Sequence, residues 1–379
     1  MYYITVKLPP TTHQMTIEEL LYGVDLDSLL INSNLTNTRT YEVQEVKGRF
    51  LDTVDTGWLI KKLNDFNTRT ERLHWGDRHS LYREFHIPKK SGGLRKIDAP
   101  NDDLMNALRE IKTIFENDFH ALYHTSAFAY IPRRSTIECM KRHQRNESKW
   151  FAKYDLSNFF GSTTKEFVMH QLSMIYPFCE VMKRPDGNRA LGEALDLAFL
   201  DGVLPQGTPL SPLLTNIIMI PIDYRLANTL REYNNQRFVY TRYADDFQVS
   251  SRYSFRFREI ERVIVGVLDE FDAPFKLNRG KTRYGSSAGR NWNLGLMINK
   301  DNNLTVGHKK KKQLKNMLEN YAMDKKHGVS WDISDVQVME GYRNYYRQVE
   351  EESIDELIKW VNKKHDVDIL ELISIDLRG

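Results

Sequence analysis

Hydrophobic spacing along the chain predicts a mixture of helices and strands. Up to about residue 65 the positions are mixed and polar, with Pro9-Pro10 early and a Thr/Asn-rich stretch from Asn32 to Thr40. A helical pattern begins at Gly57-Trp58-Leu59-Ile60-Lys61-Lys62-Leu63. Phe85-His86-Ile87-Pro88-Lys89-Lys90-Ser91-Gly92-Gly93-Leu94-Arg95-Lys96-Ile97-Asp98-Ala99-Pro100 reads as strand, tight Gly-Gly turn, strand. Leu104, Ala107, Leu108, Ile111 and Ile114 keep a 3.6-residue period, so a helix is expected from Asp102 to about Asp118. Trp150-Phe151-Ala152-Lys153-Tyr154 is a strand ending at Asp155. Phe238 to Tyr243 is rich in aromatic and β-branched residues; Ala244-Asp245-Asp246 interrupts it, and Phe247-Gln248-Val249-Ser250 resumes the alternation. That is a hairpin with acids at its tip. Past Asp301 the period is helical again, with Leu314, Met317, Leu318 and Tyr321 on one stripe.

Composition narrows the class. The 379 residues (44.6 kDa) are 41% apolar and include 18 Phe, 19 Tyr and 6 Trp. They can bury a sizeable core, in two or three units of roughly 150 residues each, which excludes a disordered chain. The two cysteines, Cys139 and Cys179, have neither metal-type spacing nor a disulfide framework, as expected in a reducing compartment. No stretch approaches the roughly 18–20 apolar residues needed to cross a bilayer, and the N-terminus has no signal-like segment. The expectation is a cytoplasmic protein with no membrane partner.

Net charge is only +3, but it is unevenly spread. Ile131 to Lys153 carries seven Lys/Arg against two Glu, and Asp301 to Lys326 carries seven Lys against three acids. Val349 to Gly379 carries nine acids against four bases. Two basic zones suggest a surface that follows a polyanion, although solvated helix faces would give the same counts. Arg133, Arg134, Arg142 and Arg145 are the nucleic-acid candidates of the first zone. Lys309, Lys310, Lys311 and Lys312 are those of the second. Consecutive helical residues lie about 100° apart, so two or three of these lysines are expected to face a groove, the rest solvent. Tyr342, Tyr345 and Tyr346 follow at helical spacing, suited either to packing on sugars and bases or to a helical core.

Asp155 ends one apolar strand, and Asp245-Asp246 lies between two others. In one sheet, these carboxylates would converge at an edge. Hard cations such as Mg²⁺ take oxygen ligands and complete their shells with water and substrate phosphates. A pair of such ions can activate a 3′-hydroxyl and stabilise leaving pyrophosphate. Each acid alone reads more simply as a cap or turn residue.

The surrounding strings decide between these readings. Tyr243-Ala244-Asp245-Asp246 between strands resembles the hallmark box of reverse transcriptases. Leu204-Pro205-Gln206-Gly207-Thr208-Pro209-Leu210-Ser211-Pro212-Leu213-Leu214-Thr215-Asn216 is similar to that family's Gln-Gly box and following helix. Phe151-Ala152-Lys153-Tyr154-Asp155-Leu156-Ser157-Asn158-Phe159-Phe160 resembles the box of its first catalytic Asp. Lys89 to Lys96, Leu277-Asn278-Arg279-Gly280-Lys281-Thr282 and the primer-gripping Gly295-Leu296-Met297-Ile298-Asn299 follow the family's order. The resemblance covers roughly residues 80 to 350.

It implies an α+β right-hand polymerase with fingers, a palm of antiparallel sheet plus helices, and a helical thumb. The expected divisions are 1–65 as an N-terminal extension, 66–150 as fingers and 151–160 as palm. An insertion at 161–203, palm with primer grip at 204–300, and thumb with an acidic tail at 301–379 complete them. The implied cofactor is two Mg²⁺ ions, with Mn²⁺ able to substitute. Asp155 and Asp245 would bind both, and Asp246 would complete or orient the site. Asn158 and Phe159 would offer backbone N–H groups to the triphosphate. Phe160 would be a steric gate against a ribose 2′-OH, with core packing as the plainer alternative. Gln206 and Gly207 would line the nucleotide pocket, Gly207 admitting the templating base or sugar. Lys89 and Arg95 would neutralise the triphosphate, and Lys281 would donate a proton to pyrophosphate unless merely solvated.

Partners so implied are an RNA template, a DNA primer and product, and dNTPs; other proteins or a second copy stay open. The Ile87-Pro88-Lys89-Lys90-Ser91-Gly92-Gly93 entry looks bacterial. Eighty residues follow Asn299, enough for a helical thumb but not for an RNase H or endonuclease module. Gln206-Gly207 departs from diversity-generating enzymes, which replace that dipeptide. Retron enzymes carry Asn-Ala-x-x-His and Val-Thr-Gly. Here Cys139-Met140-Lys141-Arg142-His143 and Asn293-Leu294-Gly295 keep the His and Gly but lose the Asn and Thr. The leading expectation is a defence-associated enzyme copying a dedicated noncoding RNA. Retron-like, truncated intron-like and protein-primed or untemplated polymerases remain open, as does a catalytically idle RNA-binding splicing cofactor.

Overall fold

The computed structural model describes residues 55–89, 92–119, 123–233, 237–288, 292 and 295–378. The chain divides into Met1–Leu59 and Ile60–Gly379. Helix α1 (Thr56–Thr70) spans residue 65, where the N-terminal extension was expected to end; residues 1–54 of that extension lie outside the described residues.

Strands β1 (Tyr82–Pro88) and β2 (Leu94–Pro100) form an antiparallel hairpin with Pro88 opposite Leu94. Its turn is wider than a two-residue Gly-Gly turn. The Lys89 N–H donates to the Gly93 carbonyl at 2.9 Å, and the Gly92 N–H to the Lys89 carbonyl at 3.0 Å. Gly92 and Gly93 have φ of 87° and 79°, which explains the glycines. Lys90 and Ser91 of this turn lie outside the described residues.

Helix α2 (Asp102–Asp118) has the bounds the periodicity predicts. The Asn101 side chain accepts from the Leu104 N–H at 3.0 Å, and two acids occupy the first turn. In α3 (Thr136–Arg145), Ser135 provides the same kind of cap. Strand β3 (Trp150–Ser157) runs two residues past its expected end. Helices α4 (Phe159–Ser162), α5 (Lys165–Leu172), α6 (Phe178–Met182) and α7 (Pro185–Asp196) follow. After a turn at Gln206-Gly207 come α8 (Ser211–Ile218) and α9 (Ile220–Glu232).

The central sheet is closed by β4 (Val239–Tyr243), β5 (Asp246–Ser251), α10 (Phe257–Glu270), β6 (Lys276–Leu277) and β7 (Arg283–Ser286). Its order is β4-β5-β3-β6, with β7 also on β3, and all these pairs are antiparallel. Strand β3 is buried on both faces through Phe151, Ala152, Tyr154 and Leu156, as a central strand requires. It ends at Ser157 because β6 pairs with Leu156 and Ser157, a contact that local alternation cannot reveal.

A small hairpin of β8 (Met297–Ile298) and β9 (Leu304–Thr305) leads to α11 (His308–Lys326), α12 (Ile333–Val349), α13 (Glu351–His365) and α14 (Ile369–Arg378). Leu314, Leu318 and Tyr321 are buried as the stripe predicts, together with Tyr346, Ile354 and Ile373. The acidic end of the chain is helical and packed: Asp376 accepts from Tyr321 Oη at 2.9 Å and from Lys325 Nζ at 2.6 Å. The architecture is therefore α+β, an antiparallel palm sheet with helices, a fingers hairpin and a helical thumb. Among the described residues, no helix is long and apolar enough to cross a membrane. Neither Cys139 nor Cys179 forms a disulfide.

His143 of α3 is fully buried against the sheet, with Nδ1 2.6 Å from Ser250 Oγ and Nε2 2.8 Å from Thr241 Oγ1. Burial depresses its pKa from 6.5 to about 3, with the nearby Arg142 charge acting in the same direction. Between those values the unfolded chain binds a proton that the folded chain refuses. Its contribution is thus fully present above pH 6.5 and declines as pH falls toward 3, by at most about 1.4 kcal/mol per unit. Urea unfolding at pH 7 and pH 5 should show this loss in the wild type, and His143→Gln should lack that increment. Equal pH dependence in both proteins would exclude His143 as its source.

Candidate active site

In the sheet register, Asp155 of β3 lies directly opposite Asp246, the first residue of β5. Opposed residues on antiparallel strands have Cβ atoms about 4.5–5.5 Å apart. Asp245 precedes Asp246 in the β4–β5 turn, and its carbonyl accepts from the Leu156 N–H at 3.0 Å. The Asp155 carbonyl accepts from the Asn278 N–H at 2.7 Å. Two separate segments thus bring the sequence-nominated acids to one edge, and a third, around Asn278, is hydrogen-bonded to β3 there. Asp155 is not at the end of its strand, and Asp246 belongs to a strand rather than to the interruption.

This edge is electrostatically strained. Burial, then the Asp246 and Asp155 charges, push the Asp245 carboxyl up to about 6. Asp246 is also raised, by burial first, although Lys153 opposes the shift. Lys153 Nζ lies 2.6 Å from Asp246 Oδ2, and Lys281 Nζ lies 3.0 Å from each oxygen of Asp155. Lys153 was overlooked in the sequence. Its i, i+2 relation to Asp155 on one strand face was the available signal.

Among the described residues, no three His, Cys, Asp or Glu side chains gather into a metal cage. A cage is not required for a hard cation held by one or two carboxylates and completed by phosphate. The donor set fits such an ion: all its atoms are carboxylate oxygens, and cationic charge would relieve the repulsion that raises Asp245.

Beyond β3 the chain turns sharply. Asn158 adopts φ 48°, and α4 opens at Phe159. Phe159 is buried against Phe275, with ring centroids 4.9 Å apart. Phe160 is only half-buried, so it is not a core residue like its neighbour. The Gln206 carbonyl accepts from the Asp98 N–H at 2.8 Å, docking the β1–β2 hairpin on the Gln206-Gly207 turn. Gly207 has φ 120°, and a Cβ there would lie 2.8 Å from Ile97 Cγ2 and 2.9 Å from the Asp98 carbonyl oxygen. The close approach that Gly207 permits is to the hairpin's own strand, where the sequence had suggested a base or sugar. Lys89 and Arg95 of the hairpin are exposed.

The basic zones resolve into cations with different surroundings. Arg134 is turned inward, its Nη1 donating to the His124 and Ala127 carbonyls at 2.6 and 2.7 Å. Lys310 donates to the Gly295 carbonyl at 3.1 Å, and Lys311 pairs with Glu350 at 2.9 Å. These three are structural contacts within the protein, which corrects their expected exposure to phosphate. Arg133, Arg145, Lys309 and Lys312 are exposed, and Arg142 is half-buried. Tyr342 is exposed and stacks on buried Tyr346 at 5.7 Å; Tyr345 is half-buried with its Oη 3.4 Å from Thr136 Oγ1. Asn293 and Leu294 of the retron-like comparison lie outside the described residues.

Residues 87–318 match the family model described as reverse transcriptase (RNA-dependent DNA polymerase). Similar curated proteins include the retron Ec83 reverse transcriptase of Escherichia coli, 25% identical over 69% of this chain and 81% of that protein. The retron Ec73 enzyme of E. coli is 26% identical over 75% and 90%. The retron Mx65 enzyme of Myxococcus xanthus is 28% identical over 64% and 56%. Among solved structures, an apo telomerase from Candida tropicalis aligns at a TM-score of 0.47 and 12% identity, covering 83% of this chain and 66% of that one.

Gly207→Ala tests the junction between hairpin and palm. The added methyl group meets backbone and demands a disfavoured φ, so unfolding free energy should fall by about 1–3 kcal/mol. The KM for nucleotide should rise as the hairpin shifts. Unchanged stability and KM would show that Gly207 is not held by this contact.

Proposed function

The chain belongs to the reverse transcriptase family and is an RNA-directed DNA polymerase; from that premise we propose that it extends a DNA 3′ end at the edge formed by Asp155, Asp245 and Asp246. The carrying observation is the Asp155–Asp246 register with Asp245 at the adjoining turn. Asp155 and Asp245 would hold two divalent ions, Mg²⁺ or Mn²⁺ in its place, with Asp246 completing the set. Bound there, the ions would promote 3′-hydroxyl ionisation and carry charge on the departing pyrophosphate.

In the reaction, the primer 3′ oxygen forms a bond to the α-phosphorus as the bond from that phosphorus to the bridging oxygen breaks. The hydroxyl proton leaves to solvent, and the Lys281 ammonium supplies a proton to the pyrophosphate. Backbone N–H groups of Asn158 and Phe159, with the side chains of Lys89 and Arg95, hold the triphosphate. Gln206 would border the nucleotide, with Gly207 keeping the hairpin against that turn, and Phe160 would exclude a ribose 2′-hydroxyl. Exposed Arg133, Arg145, Lys309 and Lys312, with Arg142 and Tyr342, provide the template–primer surface; Tyr345 supports it from beneath.

The template in this reading is a dedicated noncoding RNA. Retron-named relatives support a retron-type enzyme over an intron-derived one. Sequencing the RNA and DNA that copurify with the protein tests it; heterogeneous cellular RNA with no recurrent DNA product would refute it. Antiviral defence is proposed as the setting and is tested by plating phage on cells carrying the wild-type or carboxylate-deleted gene.

Asp245→Ala with Asp246→Ala should reduce dNTP incorporation below about a tenth of wild type while circular dichroism stays unchanged, because the ions lose their ligands. Retained incorporation in the folded double variant would overturn the assignment of the site.

Phe160→Ala should admit ribonucleotides by removing a clash rather than an attraction. Single-nucleotide extension with dNTP and rNTP in parallel measures the discrimination. An unaltered ratio would mean that Phe160 is not the gate.

A further inference from the structure

The two lysines of the carboxylate edge are held differently. Lys153 is 17% exposed and meets one oxygen of Asp246 at 2.6 Å, leaving the other oxygen uncovered by it. Lys281 is 56% exposed and places its ammonium 3.0 Å from both oxygens of Asp155, itself 11% exposed. One cation is built into the sheet; the other stands in solvent and covers the whole carboxylate.

The backbone beneath Lys281 is independently anchored. Its N–H donates to the Asn278 carbonyl at 3.0 Å, and the Asn278 N–H donates to the Asp155 carbonyl at 2.7 Å. Arg279 in the same turn pairs with Glu261 at 2.9 Å. The flexible side chain can therefore leave Asp155 while its backbone stays attached to β3. A lysine ammonium is a compact point charge on a rotatable stem, and here it reaches a buried carboxylate from a side chain that is itself largely exposed.

From this geometry we infer that Lys281 is a displaceable counter-ion, closing Asp155 to a divalent cation until a nucleoside triphosphate draws the ammonium away. An ammonium and a divalent ion repel one another and compete for the same two oxygens. A polyphosphate offers the lysine a stronger anionic partner, so nucleotide entry opens the carboxylate as the ion is needed. By linkage, nucleotide and ion raise each other's affinity by the same factor. The inference rests on the reading of Asp155 as a metal ligand. It also gives the proton donor a resting place before substrate arrives.

Mn²⁺ binding to the full chain, followed by electron paramagnetic resonance of the free ion without nucleotide, provides a readout separate from polymerisation. Lys281→Met should bind Mn²⁺ about fivefold to twentyfold more tightly than wild type, the scale of a partly screened charge at ion-pair distance. Lys281→Arg, which keeps the charge, should resemble wild type, and Lys281→Gln provides a second neutral variant should the Met form misfold. With template and a dideoxy-terminated primer, added dNTP should lower the half-saturating free Mn²⁺ concentration by a smaller factor in the neutral variants. Asp155→Asn separates the two levels of the argument. Unchanged Mn²⁺ affinity in that variant would overturn Asp155 as a ligand. Weakened affinity there, with wild-type affinity and nucleotide coupling in both neutral Lys281 variants, would overturn the counter-ion alone.

Discussion

A buried ion pair, Arg242 with Asp223, fixes the turn on which the carboxylate edge depends. Both side chains are inaccessible, and the guanidinium meets Asp223 through Nε and Nη2, at 2.9 and 2.7 Å in the closest contacts. Arg242 also donates to Asn216 Oδ1 at 3.0 Å and to the Ala244 carbonyl at 3.1 Å. Tyr240 donates to Asp223 at 2.7 Å, and Asn216 reaches the Ala129 carbonyl at 2.7 Å. This network connects β4 and the start of the β4–β5 turn to α8, α9 and the segment around Ala127. Burying both charges is costly, and such a pair need not exceed an apolar replacement in stability. Its positional effect is more specific: Ala244 has φ 56°, a region unfavourable for alanine, and its carbonyl is held by Arg242. Asp245 is the next residue.

The nucleotide pocket rests on a second contact. Nucleotide recognition is assigned to groups on two parts of the fold, the β1–β2 hairpin and the palm. The Asp98–Gln206 backbone hydrogen bond joins them, and Gly207 lets them approach. A change in hairpin position would therefore reach the Gln206-Gly207 turn through main-chain contact, without needing movement of the carboxylate strands. In the proposed reading, nucleotide binding and metal binding would thus rest on different contacts of the fold.

Local pattern made much of this legible. The α2 bounds follow from Leu104, Ala107, Leu108, Ile111 and Ile114, and the β4–β5 hairpin follows from strand-prone runs flanking Ala244-Asp245-Asp246. Distant contacts limited the reading elsewhere. β3 continues to Ser157 because β6 joins it, while the Gly92-Gly93 turn widens around the Lys89–Gly93 hydrogen bond. Helical geometry predicted that Lys309 to Lys312 must diverge. It could not assign Lys310 to Gly295 or Lys311 to Glu350, because those partners lie on other elements. Lys153 and Arg242 were similarly obscured: each finds partners on other elements, and each occurs in a string whose neighbouring residues are more conspicuous.

The carboxylate edge also shows why stability and reactivity favour different residues here. Three acids share the edge with two nearby lysines, and burial and repulsion raise both Asp245 and Asp246. Amides at these positions would remove the repulsion, but they would also remove the charge available to a cation. Stable surroundings allow this local conflict to persist. The Arg242–Asp223 network holds the turn from inside, β3 is covered on both faces, and Lys153 secures Asp246. Lys281 approaches the edge from solvent on a largely exposed side chain. A more deeply buried lysine would give stronger fixed compensation, but it would exchange less readily for substrate. The unequal exposure of Lys153 and Lys281 thus divides two requirements within one site: one ammonium maintains the strand geometry, and the other can respond to the incoming polyphosphate.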